Sequence, residues 1–167
     1  MKKYFFVAMA TLVVSAAAVV GVKAYNYYSL SPLMKANLKK ISLALFCIYL
    51  VAVALLCFLK PSSLPEMDIK TFLGLPIDKV LHFLMFLPYP VLAGMSFMGK
   101  EYPFHRNIFI LLVLAVVGIG MAYGTEMIQA QTGYRAYEMA DFYADMTGIA
   151  TGSVAVLAYL IHIRLKK

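Results

Sequence analysis

Residues 41–59 read ISLALFCIYLVAVALLCFL, nineteen consecutive positions without a charged side chain. At a rise of about 1.5 Å per residue, such a run forms a helix about 28 Å long, close to the thickness of a bilayer's hydrocarbon core. In hydrocarbon no water is at hand to bond the backbone, so a spanning segment must satisfy its own N–H and C=O groups as a helix. Four further stretches are long enough to span: Tyr4–Val22, Val80–Met98, Ile108–Thr125 and Met146–Ile163. The chain therefore reads as an all-α, polytopic transmembrane helical bundle, with four core helices and one N-terminal hydrophobic helix. Residues 1–37 form a leader or an extra transmembrane helix, and residues 38–167 the four-helix membrane domain.

Composition agrees with this reading. The chain is 63% hydrophobic and 14% charged, whereas soluble domains average about 45–50% apolar and about 25% charged residues. A net charge of +7 and a pI near 9.4 would suit a nucleic-acid-binding domain if the basic residues formed a stripe. Here they flank apolar runs and interleave with no aromatic ladder, so no nucleic-acid partner is expected; the expected surroundings are membrane lipids. Cys47 and Cys57 lie ten residues apart in one apolar run, about 15 Å along a helix, too far for a disulfide. Their spacing fits no zinc motif, and they read as small buried hydrophobes.

The amino-terminal run allows two readings. Lys2 and Lys3, the apolar stretch and Val22-Lys23-Ala24 fit a secretory signal with a small-residue cleavage site. An uncleaved helix fits as well. Charge bears on the choice. Lys23, Lys35, Lys39, Lys40, Lys100, Arg106, Arg164, Lys166 and Lys167 fall on one side of the four core spans, against Lys60, Lys70, Lys79 and Arg135 on the other. The positive-inside rule places the richer side, with the carboxyl terminus, in the cytoplasm. Cleavage after Ala24 would invert this arrangement, so retention of the first helix is the favoured reading. The outer side then collects Glu66, Asp68, Asp78, Glu126, Glu138, Asp141 and Asp145, leaving Glu101 alone on the inner side. Acidic residues contribute little to orientation, so their clustering needs another cause.

Three motifs carry potential chemistry. Asp78-Lys79-Val-Leu-His82-Phe83 follows Pro76 and opens the third span. Asp78 is a natural N-cap, and His82 lies one turn deeper on the same side as Asp78 or Lys79. An imidazole within a span usually faces a partner or cavity, although an interhelical hydrogen bond alone would account for it. The fourth span ends Gly120-Met-Ala-Tyr-Gly124-Thr-Glu126-Met-Ile-Gln129. Its glycines form a small-xxx-small step that permits close helix packing. Glu126 and Gln129 share a face, and an interfacial Glu hydrated by headgroups is the plainer alternative.

The last span opens Arg135-Ala-Tyr-Glu138-Met-Ala-Asp141-Phe-Tyr-Ala-Asp145-Met-Thr-Gly148. Asp141 and Asp145 face one direction, with Gly148 and Gly152 continuing the stripe beneath. Two carboxylates one turn apart repel. A shared proton, Arg135 or a bound divalent cation such as Mg²⁺, Mn²⁺ or Ca²⁺ would relieve them. Favourable placement at a helix amino terminus explains Asp141 better than the deeper Asp145.

This ordered set, Asp78-Lys79-x-x-His82-Phe83, Glu126-x-x-Gln129, Arg135 and Asp141-x-x-x-Asp145-x-x-Gly148, resembles the VanZ-like family of small bacterial integral membrane proteins. The resemblance covers about residues 41–163; Asp145 departs from it, since the family pattern often has Asn there. It implies a multi-pass protein of the bacterial cytoplasmic (inner) membrane. It also implies a link to the cell envelope and to low-level resistance to teicoplanin, a glycopeptide with a lipid tail, without implying that this chain confers resistance. No established reaction comes with it. Residues 1–37 are also similar to the leader of short bacterial peptides of the NVEALA type, from which Asn37-Leu38-Lys39-Lys40 departs.

The expected function is a polar site at the outer face that binds or acts on a lipid-linked or amphiphilic cell-envelope molecule. His82, Glu126, Asp141 and Asp145 are the candidate acid–base or cation-binding groups. Arg135, Gln129, Asp78 and Lys79 are candidates for substrate contact, with Arg135 suited to an anionic headgroup such as phosphate. The candidate partners are a lipid-linked envelope precursor or a lipoglycopeptide. Against an enzyme stands the lack of an evident nucleophile. A non-catalytic envelope protein that modulates membrane interactions is the main alternative. A small permease fits less well, because no inverted repeat is evident. Pro88 and Pro90 should kink the third span; His105 and His162 read as interfacial. Orientation is open to direct measurement: a topology reporter fused after Lys167 should read cytoplasmic in intact cells.

Overall fold

A computed structural model describes residues 32–58, 71–72, 74–131 and 138–165. Tyr4–Val22, the cleavage question and Arg135 lie outside the described residues. Among the described residues, five helices and one minimal hairpin follow in order: α1 (Pro32–Phe58), β1 (Thr71–Phe72), β2 (Leu75–Pro76), α2 (Ile77–Phe86), α3 (Tyr89–Phe97), α4 (Phe104–Gln131) and α5 (Met139–Leu165). Together they supply four segments long and apolar enough to cross a membrane, with α2 and α3 forming one of them, Ile77–Phe97. The chain is an all-α, multi-pass helical bundle, as its apolar runs predict.

Each helix is apolar nearly all round, so the face turned inward is chosen by shape and polarity rather than by hydrophobicity. In α1 the buried positions Ser42, Phe46, Tyr49, Val53 and Cys57 recur every three or four residues, while Ile48, Val51 and Leu55 point outward. In α5 the buried stripe is Asp141, Asp145, Gly148, Gly152, Val156 and Leu160. Outward-facing Val116, Phe109, Leu112, Val154 and Ile161 give the bundle the exposed apolar surface that acyl chains would cover.

The third span is broken where the prolines predict. Helix α2 ends at Phe86 and α3 begins at Tyr89, with Leu87 and Pro88 in a turn. Pro88 and Pro90 bring no N–H to the carbonyls of Leu84 and Phe86. Within this weakened stretch the Met85 carbonyl accepts a hydrogen bond from the Tyr49 hydroxyl at 2.6 Å. Borrowing a neighbouring helix's donor is how a spanning segment tolerates proline. Tyr89, 1% exposed, donates to the Leu114 carbonyl at 3.1 Å and lies flush against Gly118.

The break also sets how α5 docks. A Cβ on Gly148 would lie 2.5 Å from the Phe83 carbonyl oxygen, and one on Gly152 would collide with the Leu87 carbonyl oxygen. The predicted glycine stripe of α5 is therefore in backbone contact with α2 and its exit. The step at Gly120 and Gly124 does not behave as expected: a Cβ at either would meet nothing within 4 Å. Both lie off the helix contacts, and the close approach on α4 is made by Gly118 instead. Asp78 departs from expectation as well. The N-cap of α2 is Pro76, no side chain caps it, and Asp78 sits inside the first turn. The span starts earlier than Val80 because the hairpin, turned at Gly74 with φ +79°, feeds directly into it. That positive φ is open to glycine at little cost.

The two ends of the bundle differ in charge. At one end Lys39 pairs with Glu101 at 2.6 Å, and the guanidinium groups of Arg106 and Arg164 lie over the rings of Tyr102 and Phe104. Asn107 closes the connecting loop there by bonding both the N–H and the C=O of Gly99. At the other end lie the start of α2, the end of α4 and the start of α5, with the acidic residues. Gly148→Ala should lower the melting temperature of the detergent-solubilised protein, at an overpacking cost of about 1–3 kcal/mol. Gly120→Ala, in open space, should leave it unchanged or raise it, by up to about 1 kcal/mol of helix propensity.

Candidate functional site

The acidic end is organised by helix periodicity on three elements. Helix α2 contributes Asp78, Lys79 and His82 from its first two turns. Helix α4 contributes Glu126 from its final turns. The start of α5 contributes Asp141 and Asp145, one turn apart, with Glu138 just before it. Because Gly148 brings α5 into backbone contact with α2 one turn further along, the carboxylates above it arrive against Lys79 and His82. The result is two connected layers.

The outer layer centres on Lys79, whose side chain is 17% exposed. Its ammonium donates to Glu138 Oε2 at 2.5 Å, lies 2.9 Å from Asp78 Oδ2, and is bonded to Asp141 Oδ1. The inner layer centres on His82. Its Nδ1 is 3.0 Å from Asp145 Oδ1 and 3.9 Å from Glu126 Oε1. Its Nε2 is 3.5 Å from Asp141 Oδ2. Asp141 thus faces both layers, one oxygen toward the lysine and the other toward the imidazole.

Burial separates the layers. Asp78 and Glu138 reach solvent or headgroups, whereas His82, Glu126 and Asp145 are 5%, 0% and 0% exposed. An interfacial, hydrated Glu126 is therefore not what the fold produces. Among the described residues, neither oxygen of Glu126 has a hydrogen-bond partner, and Asp145 Oδ2 has none. Leaving such groups dry and unpartnered costs several kcal/mol if they are charged. Among the described residues, five carboxyl groups face one lysine and one histidine, so the inner layer has more acid than its neighbours can neutralise.

The predicted residues separate accordingly. His82, Glu126, Asp141, Asp145, Lys79 and Asp78 converge. Gln129 does not join them: it is buried one turn beyond Glu126 and donates to the Cys57 carbonyl at 2.8 Å, tying α4 to the end of α1. Glu138 joins the outer layer without having been singled out from the sequence. Its position three residues before Asp141, at the mouth of the same helix, was the available signal. A cavity of about 680 Å³ lies away from this centre, at the basic end, between α1, α3 and α5, where Met95, Met98, Asn107, Tyr159 and Arg164 contribute to its walls.

Comparison of the chain with protein-family models, with curated proteins and with solved structures gives no match.

Lys79 and Lys39 test the electrostatic reading against each other. Lys79→Met strands Asp141 in a partly buried site and should destabilise the protein toward the lower end of roughly 3–5 kcal/mol. Lys39→Met removes a pair whose side chains are 34% and 53% exposed and should cost no more than about 1 kcal/mol. Thermal melts of both variants in one detergent measure the difference.

Proposed function

We propose that this protein, similar in its motifs to the VanZ-like family, is a multi-pass protein of the bacterial inner membrane. Its acidic end is an outward-facing site that binds or acts on a lipid-linked or amphiphilic cell-envelope molecule. The carboxyl terminus is cytoplasmic in this reading, and the polar centre sits at the outer leaflet. The observation that carries the proposal is the meeting of His82, Glu126, Asp141 and Asp145 inside a bundle whose outer surface is apolar. Ionisable groups at such a place are expensive, and inside membranes they ordinarily mark a ligand or proton site.

The geometry suits proton transfer. An imidazole flanked by carboxylates on both nitrogens can pass a proton either way. The layer of Lys79, Asp78 and Glu138 stands between this pair and the headgroup region. There it can meet the polar head of an amphiphile while the tail stays in lipid. Lipid-tailed glycopeptides of the teicoplanin kind and polyprenyl-linked precursors are two ligand types of this shape.

The cavity at the basic end favours a second, non-catalytic reading, in which the bundle simply holds an amphiphile and alters how it engages the membrane. Its walls are mostly apolar and Lys39 and Arg164 stand at its rim.

One experiment separates the two. Wild type, Glu126→Gln, Asp141→Asn, Asp145→Asn and Ala155→Phe are reconstituted in nanodiscs and titrated with teicoplanin and with a polyprenyl phosphate. The acidic-end reading expects the three carboxylate variants to bind at least tenfold more weakly while still melting cooperatively as folded protein, with Ala155→Phe unaffected. Loss confined to Ala155→Phe, which intrudes into the cavity, transfers the function to the basic end. Binding unchanged in all four removes the acidic-end site.

A further inference from the structure

We propose that His82, Glu126 and Asp145 form a binding site for a divalent transition-metal ion, Zn²⁺ or Mn²⁺, inside the membrane domain. One ligand atom from each residue can be chosen so that all lie within 4.8 Å of one another, and all three residues are buried. An ion placed among them would reach each with modest side-chain adjustment. This proposal rests on the reading of the acidic end as a functional site and changes the part His82 plays there: with the ion bound, Nδ1 is a ligand rather than a proton carrier, and ion binding is measured separately from amphiphile binding.

Three observations converge on a cation. The first is the Glu126 carboxylate, 0% exposed and without a hydrogen-bond partner on either oxygen, pointing at His82 Nδ1 from 3.9 Å. Buried polar groups in folded proteins are almost always satisfied, so an orphan of this kind calls for a missing partner. The second is Asp145 Oδ2, equally dry and equally unpartnered, on the same centre. The third is the arrangement behind His82. Its Nε2 lies 3.5 Å from Asp141 Oδ2, and Asp141 is held in turn by Lys79. A ligating imidazole characteristically donates its second N–H to a carboxylate, which fixes the tautomer and raises the ligand's basicity. In this structure Nδ1 is hydrogen-bonded to Asp145 Oδ1 at 3.0 Å and Nε2 faces Asp141; a metal on Nδ1 would replace the first contact and leave Asp141 placed to receive the Nε2 proton.

Ligand type narrows the ion. One imidazole nitrogen with two carboxylates favours Zn²⁺ or Mn²⁺ over Mg²⁺ and Ca²⁺, which prefer all-oxygen sites. Three protein ligands leave at least one coordination position open, the pattern of sites that bind a further molecule rather than only brace a fold. The second acidic group, Asp78, Glu138 and Asp141, meets the same distance criterion. It already has the Lys79 ammonium at its centre, so it carries no such proposal.

Binding would turn the Nδ1 lone pair of His82 toward the metal and expel any proton held between Nδ1, Asp145 and Glu126. The test uses the full-length protein, purified in detergent with chelator and then freed of it. Co²⁺ is titrated in and followed by its ligand-field absorption, Zn²⁺ is used to displace it, and proton release is read in weakly buffered solution. Wild type should bind Co²⁺ saturably, yield it to Zn²⁺ and release protons. Glu126→Gln and Asp145→Asn should each bind at least tenfold more weakly while melting normally without metal. Asp141→Asn, acting through His82, should weaken binding by roughly 10–100-fold. Lys39→Met, at the far end, is the control and should bind as wild type does. Absence of saturable Co²⁺ or Zn²⁺ binding by wild type overturns the proposal, whatever the variants do. So does an infrared carbonyl band of a protonated carboxylic acid that persists with Zn²⁺ present and vanishes in Glu126→Gln, because a proton would then occupy the metal's place.

Discussion

The architecture depends on one close approach: the backbone of α5 at Gly148 and Gly152 laid against the carbonyls of Phe83 and Leu87. In lipid the hydrophobic effect does not press helices together, because acyl chains are as apolar as leucine. Association rests on packing and on polar contacts between helices. Small residues on α5 and a proline-interrupted partner allow backbones to meet where ordinary side chains would hold them apart. Everything at the acidic end follows from that contact. Asp145 lies three residues above Gly148 and Asp141 one turn higher, so docking the glycines docks the carboxylates against His82 and Lys79.

Electrostatics then works against packing. Lys79 offsets part of the negative charge in the outer layer, where water or headgroups can screen the remainder. In the inner layer His82 bonds one oxygen of Asp145, and among the described residues nothing bonds the oxygens of Glu126. In a low-dielectric interior unpaired charge is far more costly than at a surface, and a half-satisfied polar network is worse for stability than an apolar one. Elsewhere in the bundle polar side chains are used to satisfy backbone groups. Tyr49 serves the Met85 carbonyl, Tyr89 the Leu114 carbonyl, and Asn107 both groups of Gly99.

Much of this was legible in the sequence, for identifiable reasons. Apolar runs about as long as a bilayer's hydrocarbon core is thick allow one backbone conformation, so the spans at Ile41–Leu59 and Ile108–Thr125 could be read directly. The shared face of Asp141, Asp145, Gly148 and Gly152 follows from 3.6 residues per turn, and the break at Leu87–Pro88 from proline's missing N–H. What could not be read was which helix each face meets. The glycines at 120 and 124 have the same spacing as those at 148 and 152, yet only the latter pair touches a neighbour, since spacing states that approach is possible and not that it occurs. The role of Asp78 was obscured by the hairpin upstream, which moved the helix start to Ile77. Lys79 gathers carboxylates 59 and 62 positions away, a relation that no local pattern encodes.

Glu126 separates the needs of folding from whatever else this protein does. Gln129, one turn away on the same helix and 3% exposed, is polar and buried for a visible structural reason, since it bonds the Cys57 carbonyl. Asn107, 5% exposed at the other end, closes a loop. Ser153 Oγ is also without a partner, but it is a neutral hydroxyl, with far less to lose on burial. Among the described residues, Glu126 alone combines full burial, a titratable carboxyl and two oxygens without a hydrogen bond. A methionine or leucine there would fill similar space without the desolvation penalty, at the loss only of the 3.9 Å approach to His82. A fold that bears this cost for one long contact to His82 is accounted for if the carboxylate also meets something the chain itself does not contain.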